Sequence, residues 1–107
     1  MGMIRCETHG LTPLIMTSPD LAALVKKRLR DAEAEIFSVL YVYLGTVAMA
    51  FYPSKDFADA HSLRACVGPL PDELDEWSRE TVPCCARCFE RAFGGEFGND
   101  HQWRRAR

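Results

Sequence analysis

The sequence predicts a small α+β domain with a short antiparallel sheet, two to four helices and a zinc site that joins the N-terminal hairpin to the C-terminal helix. Three observations predict it. Segments with strand character alternate with a clear helical segment. Two pairs of metal-ligating residues, each with two residues between them, lie near opposite ends of the chain. The length of 107 residues suits one domain with one modest core.

The composition is that of a folded protein with almost balanced charge. Hydrophobic residues make up 48% of the chain, and 13 Lys+Arg against 15 Asp+Glu give a net charge of −2. High hydrophobicity with low net charge argues against disorder. The negative balance is also unfavourable for a general nucleic-acid binder, whose affinity depends on neutralising phosphates.

The N-terminal segment is expected to form a β-hairpin. Residues 3–5 and 11–17 have strand character, and Gly10 can adopt the positive φ of a tight turn between them. Pro13 removes one backbone donor from the second strand, which predicts that this strand lies at a sheet edge.

A helix is predicted over about 19–34. Ser18 suits the N-cap, Pro19 suits the first helical position, and Asp20 complements the helix dipole. Apolar residues recur at helical spacing: Leu21, Leu24, Val25, Leu29 and Ala32. The opposite face carries the cations Lys26, Lys27, Arg28 and Arg30. These cations are interpreted as a solvated face, with a binding patch as the alternative.

The apolar stretch 36–52 predicts two strands, or one bent strand broken at Gly45. Its 17 residues fall short of the about 20 that a membrane-spanning helix needs, so no membrane span is expected. Ser54 is a candidate cap for a short helix, and residues 64–67 are a candidate strand.

The C-terminal part is predicted to contain one more helix followed by a tail. Residues 88–93 continue as a helix that Gly94 and Gly95 should end. Residues 96–107 are polar, and we expect them to form a flexible tail. The predicted organisation is therefore one zinc-bearing domain over 1–95 and a tail over 96–107.

The two ligand pairs predict a structural zinc site formed by Cys6, His9, Cys85 and Cys88. A spacing of two residues lets a tight turn direct two side chains at one ion. Cys85 lies at the predicted helix start, where backbone N–H groups favour the thiolate that binds metal. Three thiolates and one neutral imidazole around Zn²⁺ form a common structural ligand set.

Other cysteines and histidines are alternative candidate ligands. Cys84 in place of Cys85 would give a spacing of three residues to the last cysteine, and the spacing of two favours Cys85. Cys66 is interpreted as a small core residue, and His61 as an exposed residue after a short helix. His101 lies in the polar tail and is the least suited.

The two pairs and their flanks resemble treble-clef and zinc-ribbon domains. In those folds a knuckle on a β-hairpin faces a second pair at a turn or a helix start. The helix that follows Cys85 and Cys88 is more similar to a treble clef. The resemblance covers only the pairs Cys6/His9 and Cys85/Cys88, and the 75 residues between the two pairs depart from both types. The resemblance implies a structural metal.

No enzymatic activity is expected, because four available ligands favour a closed site and a catalytic zinc keeps an open position. A zinc deaminase would need cysteine at the third position after the cysteine that follows Pro83, and Arg87 stands there. A thiol redox or cysteine-nucleophile enzyme using Cys85 and Cys88 is the catalytic alternative. The preceding sequence is not the strand of a βαβ unit, which disfavours a thioredoxin-like centre.

The favoured function is a small protein-interaction or regulatory module. The N-terminus has no signal-peptide pattern, which predicts a cytoplasmic location and reduced cysteines. The acidic segment 71–80, which begins at a candidate helix start at Pro71, would suit a basic partner protein. Its candidate partner contacts are Asp72, Glu73, Glu76 and an at least partly exposed Trp77. Burial of Trp77 in the core is the alternative.

Zinc-dependent nucleic-acid binding is the second function considered. It would use the cations of 26–30 and a C-terminal group with one aromatic ring: Trp103, Arg104, Arg105 and Arg107. The net charge and the acidic segment 71–80 argue against it.

Overall fold

The computed structural model describes residues 2–97 and 103–105, and they form an α+β fold as predicted. In chain order the elements are β1 (Met3–Cys6), β2 (Gly10–Thr17), α1 (Pro19–Lys26), β3 (Val39–Tyr43), β4 (Thr46–Tyr52), α2 (Lys55–Ala60), β5 (Cys66–Pro69), a 3-10 helix (Glu76–Glu80), β6 (Val82–Cys85), α3 (Ala86–Phe93), β7 (Gly95–Phe97) and β8 (Trp103–Arg105). No helix begins at the candidate start Pro71, and a short 3-10 helix forms at Glu76–Glu80 instead.

Six strands form one sheet in the order β1-β2-β4-β3-β5, with β6 paired to β2. The sheet is mixed, whereas the short sheet was predicted to be antiparallel. The pairs β2–β4 and β3–β5 are parallel. Helices α1 and α2 lie in the connections between these strands, so the chain can return and run in the same direction.

The predicted hairpin of β1 and β2 is confirmed, with Gly10 at a φ of +70°. The prediction that β2 is an edge strand is wrong, because β2 pairs with β1, β4 and β6. Pro13 is tolerated because it lies just beyond the last residue pair with β6, which joins Leu14 and Cys85.

Helix α1 begins where predicted but ends at Lys26, eight residues before the predicted end. The end is a Schellman turn, in which the N–H of Arg28 donates to Val25 and the N–H of Leu29 donates to Leu24. Arg28 has a φ of +58° at the position that usually carries glycine. No glycine or asparagine marks this helix end in the sequence, so the predicted helix extends too far.

Strands β3 and β4 form a tight hairpin, which confirms the break at Gly45. Leu44 and Gly45 have φ values of +50° and +79°, as a type I′ turn requires. Leucine is disfavoured in this left-handed conformation, and the Leu44 side chain is 85% exposed, so packing does not compensate.

Leu44→Asn is expected to stabilise the protein by about 0.5–1 kcal/mol, because asparagine tolerates the left-handed conformation of this turn. Urea unfolding followed by circular dichroism measures the change. Leu44→Val is the matched control, since a β-branched residue should lower stability at the same exposed position. Equal stability of the two variants would contradict the turn assignment.

Two apolar clusters pack on opposite faces of the sheet. The main core lies under α1 and α3 and contains Ile15, Leu21, Leu40, Ala50, Tyr52, Cys84, Ala86, Phe89, Ala92 and Phe93. The second cluster contains Val39, Phe51 and Trp77. Because side chains alternate along a strand, neighbouring residues of β3 and β4 contribute to different clusters.

Some of the described residues of 96–107, the segment predicted to be a flexible tail, pack against the core. Strands β7 and β8 pair, and Phe97 and Trp103 pack against Phe89 with ring centroids 5.6 and 5.1 Å away. Residues 98–102, 106 and 107 lie outside the described residues. The predicted boundary after residue 95 stays a prediction.

Candidate metal centre

The sheet brings the two predicted ligand pairs together. Cys6 ends β1, and His9 immediately precedes the first residue of β2. Cys85 ends β6, and Cys88 lies in the first turn of α3. Since β2 and β6 are paired, with Leu14 opposite Cys85, residues far apart in sequence become neighbours. The long segment between the pairs forms the rest of the domain.

The four candidate ligand atoms form a compact cluster in which all lie within 4.8 Å of one another. The Sγ atoms of Cys6 and Cys88 are 3.5 Å apart. The Nδ1 atom of His9 lies 3.6 Å from Cys6 Sγ, 3.7 Å from Cys85 Sγ and 3.4 Å from Cys88 Sγ. A tetrahedral Zn²⁺ with ordinary bond lengths separates sulfur from sulfur by about 3.8 Å and sulfur from nitrogen by about 3.6 Å. These four distances are close to the tetrahedral values, so the cluster could hold a metal ion.

The turn between β1 and β2 favours the thiolate form of Cys6. Backbone N–H groups of Thr8 and His9 donate to its sulfur, and the His9 ring adds a further hydrogen bond. These donors lower the pKa of the Cys6 thiol from 9.0 to about 6. The same backbone N–H donors would stabilise a metal-bound thiolate.

Cys85 occupies the N-cap of α3 and receives two hydrogen bonds on its sulfur. The backbone N–H of Cys88 donates to Cys85 Sγ over 3.5 Å. The hydroxyl of Thr12, on β2, donates to the same sulfur over 3.1 Å. Thr12 is only 5% exposed, so this hydrogen bond forms inside the protein. Sequence analysis missed Thr12, because only the β2–β6 pairing reveals its position.

The environment of Cys88 favours a neutral thiol unless a cation is present. Burial is the main factor, followed by hydrogen bonds and negative charge from Cys6 and Cys85, and together they raise the pKa of Cys88 to about 12. The thiol of Cys88 thus resists ionisation beside the sulfurs of Cys6 and Cys85. A divalent cation between the three sulfurs would offset the repulsion between their negative charges, which is how a metal site holds several thiolates together.

Thr12→Val is expected to destabilise the protein by about 0.5–1.5 kcal/mol, because it removes a buried hydrogen bond to the Cys85 sulfur and keeps the side-chain shape. Thr12→Ser is the matched control, since it retains the hydroxyl and loses one methyl group. Chemical unfolding of both variants measures the difference. If the valine variant were as stable as the wild type and the serine variant, the hydrogen bond would not contribute to stability.

The other candidate ligands lie outside the cluster. Cys84 is buried beside the cluster, and its thiol donates to the carbonyl of Cys85 over 3.5 Å. Burial raises the pKa of the Cys84 thiol to about 12. His61 lies 3.1 Å from Glu80 and is not part of the cluster. Cys66 is exposed on β5, so its predicted place in the core is wrong. His101 lies outside the described residues.

Trp77 is buried, which agrees with the second of the two alternatives that the sequence left open. Its side chain belongs to the second apolar cluster and is 7% exposed. The ring packs edge-on against Phe51 at a centroid distance of 5.0 Å, and its N–H donates to Asp75. A ring held in this way is part of the core and offers no surface to a partner. The other predicted partner contacts, Asp72, Glu73 and Glu76, are exposed.

The fold and the cluster together define a small α+β domain with a Cys₃His cluster that could hold a metal ion. The chain matches no protein-family model, no curated protein and no solved structure. Within residues 2–97 and 103–105, no helix combines the length and the apolar character needed to cross a membrane.

Proposed function

We propose that the protein is a small zinc-binding protein-interaction module in which Zn²⁺ joins the β1–β2 hairpin to α3. The observation that carries the proposal is the cluster of three sulfurs and one imidazole nitrogen. The distances of 3.4–3.7 Å from His9 to the sulfurs and of 3.5 Å between Cys6 and Cys88 are close to the edges of a zinc tetrahedron. The metal would connect segments that lie at opposite ends of the sequence.

Zinc is favoured over other metals by the donor atoms. Three thiolates and an imidazole are soft or borderline ligands, which suit zinc and do not suit magnesium or calcium. With four protein ligands the coordination sphere is complete, which is typical of a structural site. This completeness supports a role without catalysis.

Protein binding is the interaction that the surface supports best. The exposed carboxylates of Asp72, Glu73 and Glu76 form an acidic surface that would repel the phosphates of nucleic acid. They stay candidate contacts for a basic partner protein. We also propose that the metal site resembles that of treble-clef domains and that the protein is cytoplasmic.

The test is the metal content of the purified protein, measured by mass spectrometry and combined with thiol counting before and after chelation. We expect about one zinc per chain and three additional reactive thiols after chelation, from Cys6, Cys85 and Cys88. A metal-free protein with all five thiols reactive would overturn the proposal. Cys85 and Cys88 would then be tested as a redox pair.

A further inference from the structure

A groove of about 450 Å³ lies beside the metal centre. Residues of β1, α1, β6 and α3 line it, and most of them are apolar. The apolar residues include Ile4, Ala22, Val25, Val82 and Pro83. The lining also includes Cys84 and three of the four candidate metal ligands, Cys6, Cys85 and Cys88, so the groove borders the metal centre directly.

A cationic turn lies at the end of α1, at one side of this groove. Lys26 lines the groove, and Lys27, Arg28 and Arg30 follow it in the sequence. All four are exposed, and none of them forms an ion pair with another described residue. Leu29, between the last two cations, is 50% exposed. The turn therefore offers unpaired positive charge next to apolar surface.

Backbone hydrogen bonds hold this turn in one conformation. The Schellman turn at Arg28 and Leu29 ends α1. The N–H of Asp31 then donates to the carbonyl of Ala92 over 2.8 Å, which attaches the following segment to α3. A backbone that is already ordered loses less conformational freedom on binding.

We infer that the groove binds an acidic peptide segment of a partner protein, with apolar side chains in the groove and carboxylates on the cations of 26–30. The inference rests on the proposed function, because zinc would hold the Cys6 and Cys88 walls together. The exposed cations favour an acidic segment, and the apolar lining favours a peptide that carries aliphatic side chains.

The same surface is a poor match for nucleic acid. The lining of the groove contains no aromatic side chain on which a base could stack.

The test is selection of a random dodecapeptide phage library on the zinc-loaded full-length protein, followed by affinity measurements on the synthesised peptides. We expect enriched sequences that combine Asp or Glu with Leu, Ile or Val. Lys26→Glu should weaken their binding by about fivefold to tenfold, because it reverses a charge at the rim. Ala22→Gln, which fills the groove without a charge, should weaken it by a similar factor.

Arg64→Glu is the matched control, since Arg64 is exposed and does not line the groove. It should leave the affinity within about twofold, apart from a small effect of net charge. Enriched peptides without acidic residues, or equal effects of Lys26→Glu and Arg64→Glu, would overturn the inference. Binding of a DNA or RNA oligonucleotide with steep salt dependence, without peptide enrichment, would overturn it in favour of nucleic acid.

Metal analysis of the same protein separates the two proposals. If the protein binds one zinc per chain but enriches no acidic peptides, the proposed zinc-binding module is supported and the proposed peptide binding in the groove is refuted. A protein that binds no zinc would refute the proposed function itself.

Discussion

Cys88→Ser is expected to abolish stoichiometric zinc binding and to lower the free energy of unfolding by at least about 3 kcal/mol. For a domain of this size, that loss corresponds to a decrease of at least about 12 °C in melting temperature. Metal binding to a preformed cluster stabilises the folded state alone, so losing a ligand removes folding free energy. Calorimetry with and without added zinc measures the effect.

Cys66→Ser is the matched control, because it makes the same substitution at an exposed cysteine outside the cluster. It should keep one zinc per chain and change stability by less than about 0.5 kcal/mol. Chelation should lower the melting temperature of this control and of the wild type, and it should not affect Cys88→Ser. If Cys88→Ser and Cys66→Ser melted together at the wild-type temperature, zinc would not stabilise the fold.

Local signals predicted several parts of this fold correctly. The hairpin around Gly10 and the end of α3 at Gly94 follow from residues that adopt positive φ without strain. The Ser54 cap also forms, and its hydroxyl accepts a hydrogen bond from the N–H of Phe57. In each case a few adjacent residues determine the conformation.

The elements that the sequence did not predict depend on residues far apart in the chain. Helix α1 ends where Arg28 adopts a left-handed conformation, and the glycine that usually indicates such an end is absent. The sequence left burial and exposure of Trp77 both open, because its burial depends on Phe51, which lies 26 positions earlier in the chain. The parallel pairing of β2 with β4 is likewise a tertiary contact, and local sequence patterns carry little information about it.

The candidate site likewise depends partly on local sequence and partly on contacts between distant residues. The spacing within each pair is local, so Cys6, His9, Cys85 and Cys88 could all be identified from the sequence. That the two pairs meet depends on the register that places Leu14 opposite Cys85. Given that register, Thr12 lies two residues away on the same face of the strand, and its hydroxyl reaches the sulfur.

Removal of residues 96–107 is expected to destabilise the domain by at least about 3 kcal/mol. Phe89 is fully buried, and the rings of Phe97 and Trp103 cover one side of it. Without them a large apolar ring of α3 would be exposed to water. Urea unfolding of chains 1–95 and 1–107 measures the difference, with zinc content determined for both.

Gly95→Ala tests whether this loss arises from packing between β7 and β8. An added Cβ at Gly95 would lie 2.5 Å from the Trp103 ring and from the carbonyl oxygen of Arg104, which is too close without movement. The substitution should cost about 1–3 kcal/mol in the full chain. It should cost almost nothing in chain 1–95, where both neighbours are absent. Equal stability of chains 1–95 and 1–107 would instead support the sequence-based prediction that residues 96–107 are a tail outside the domain.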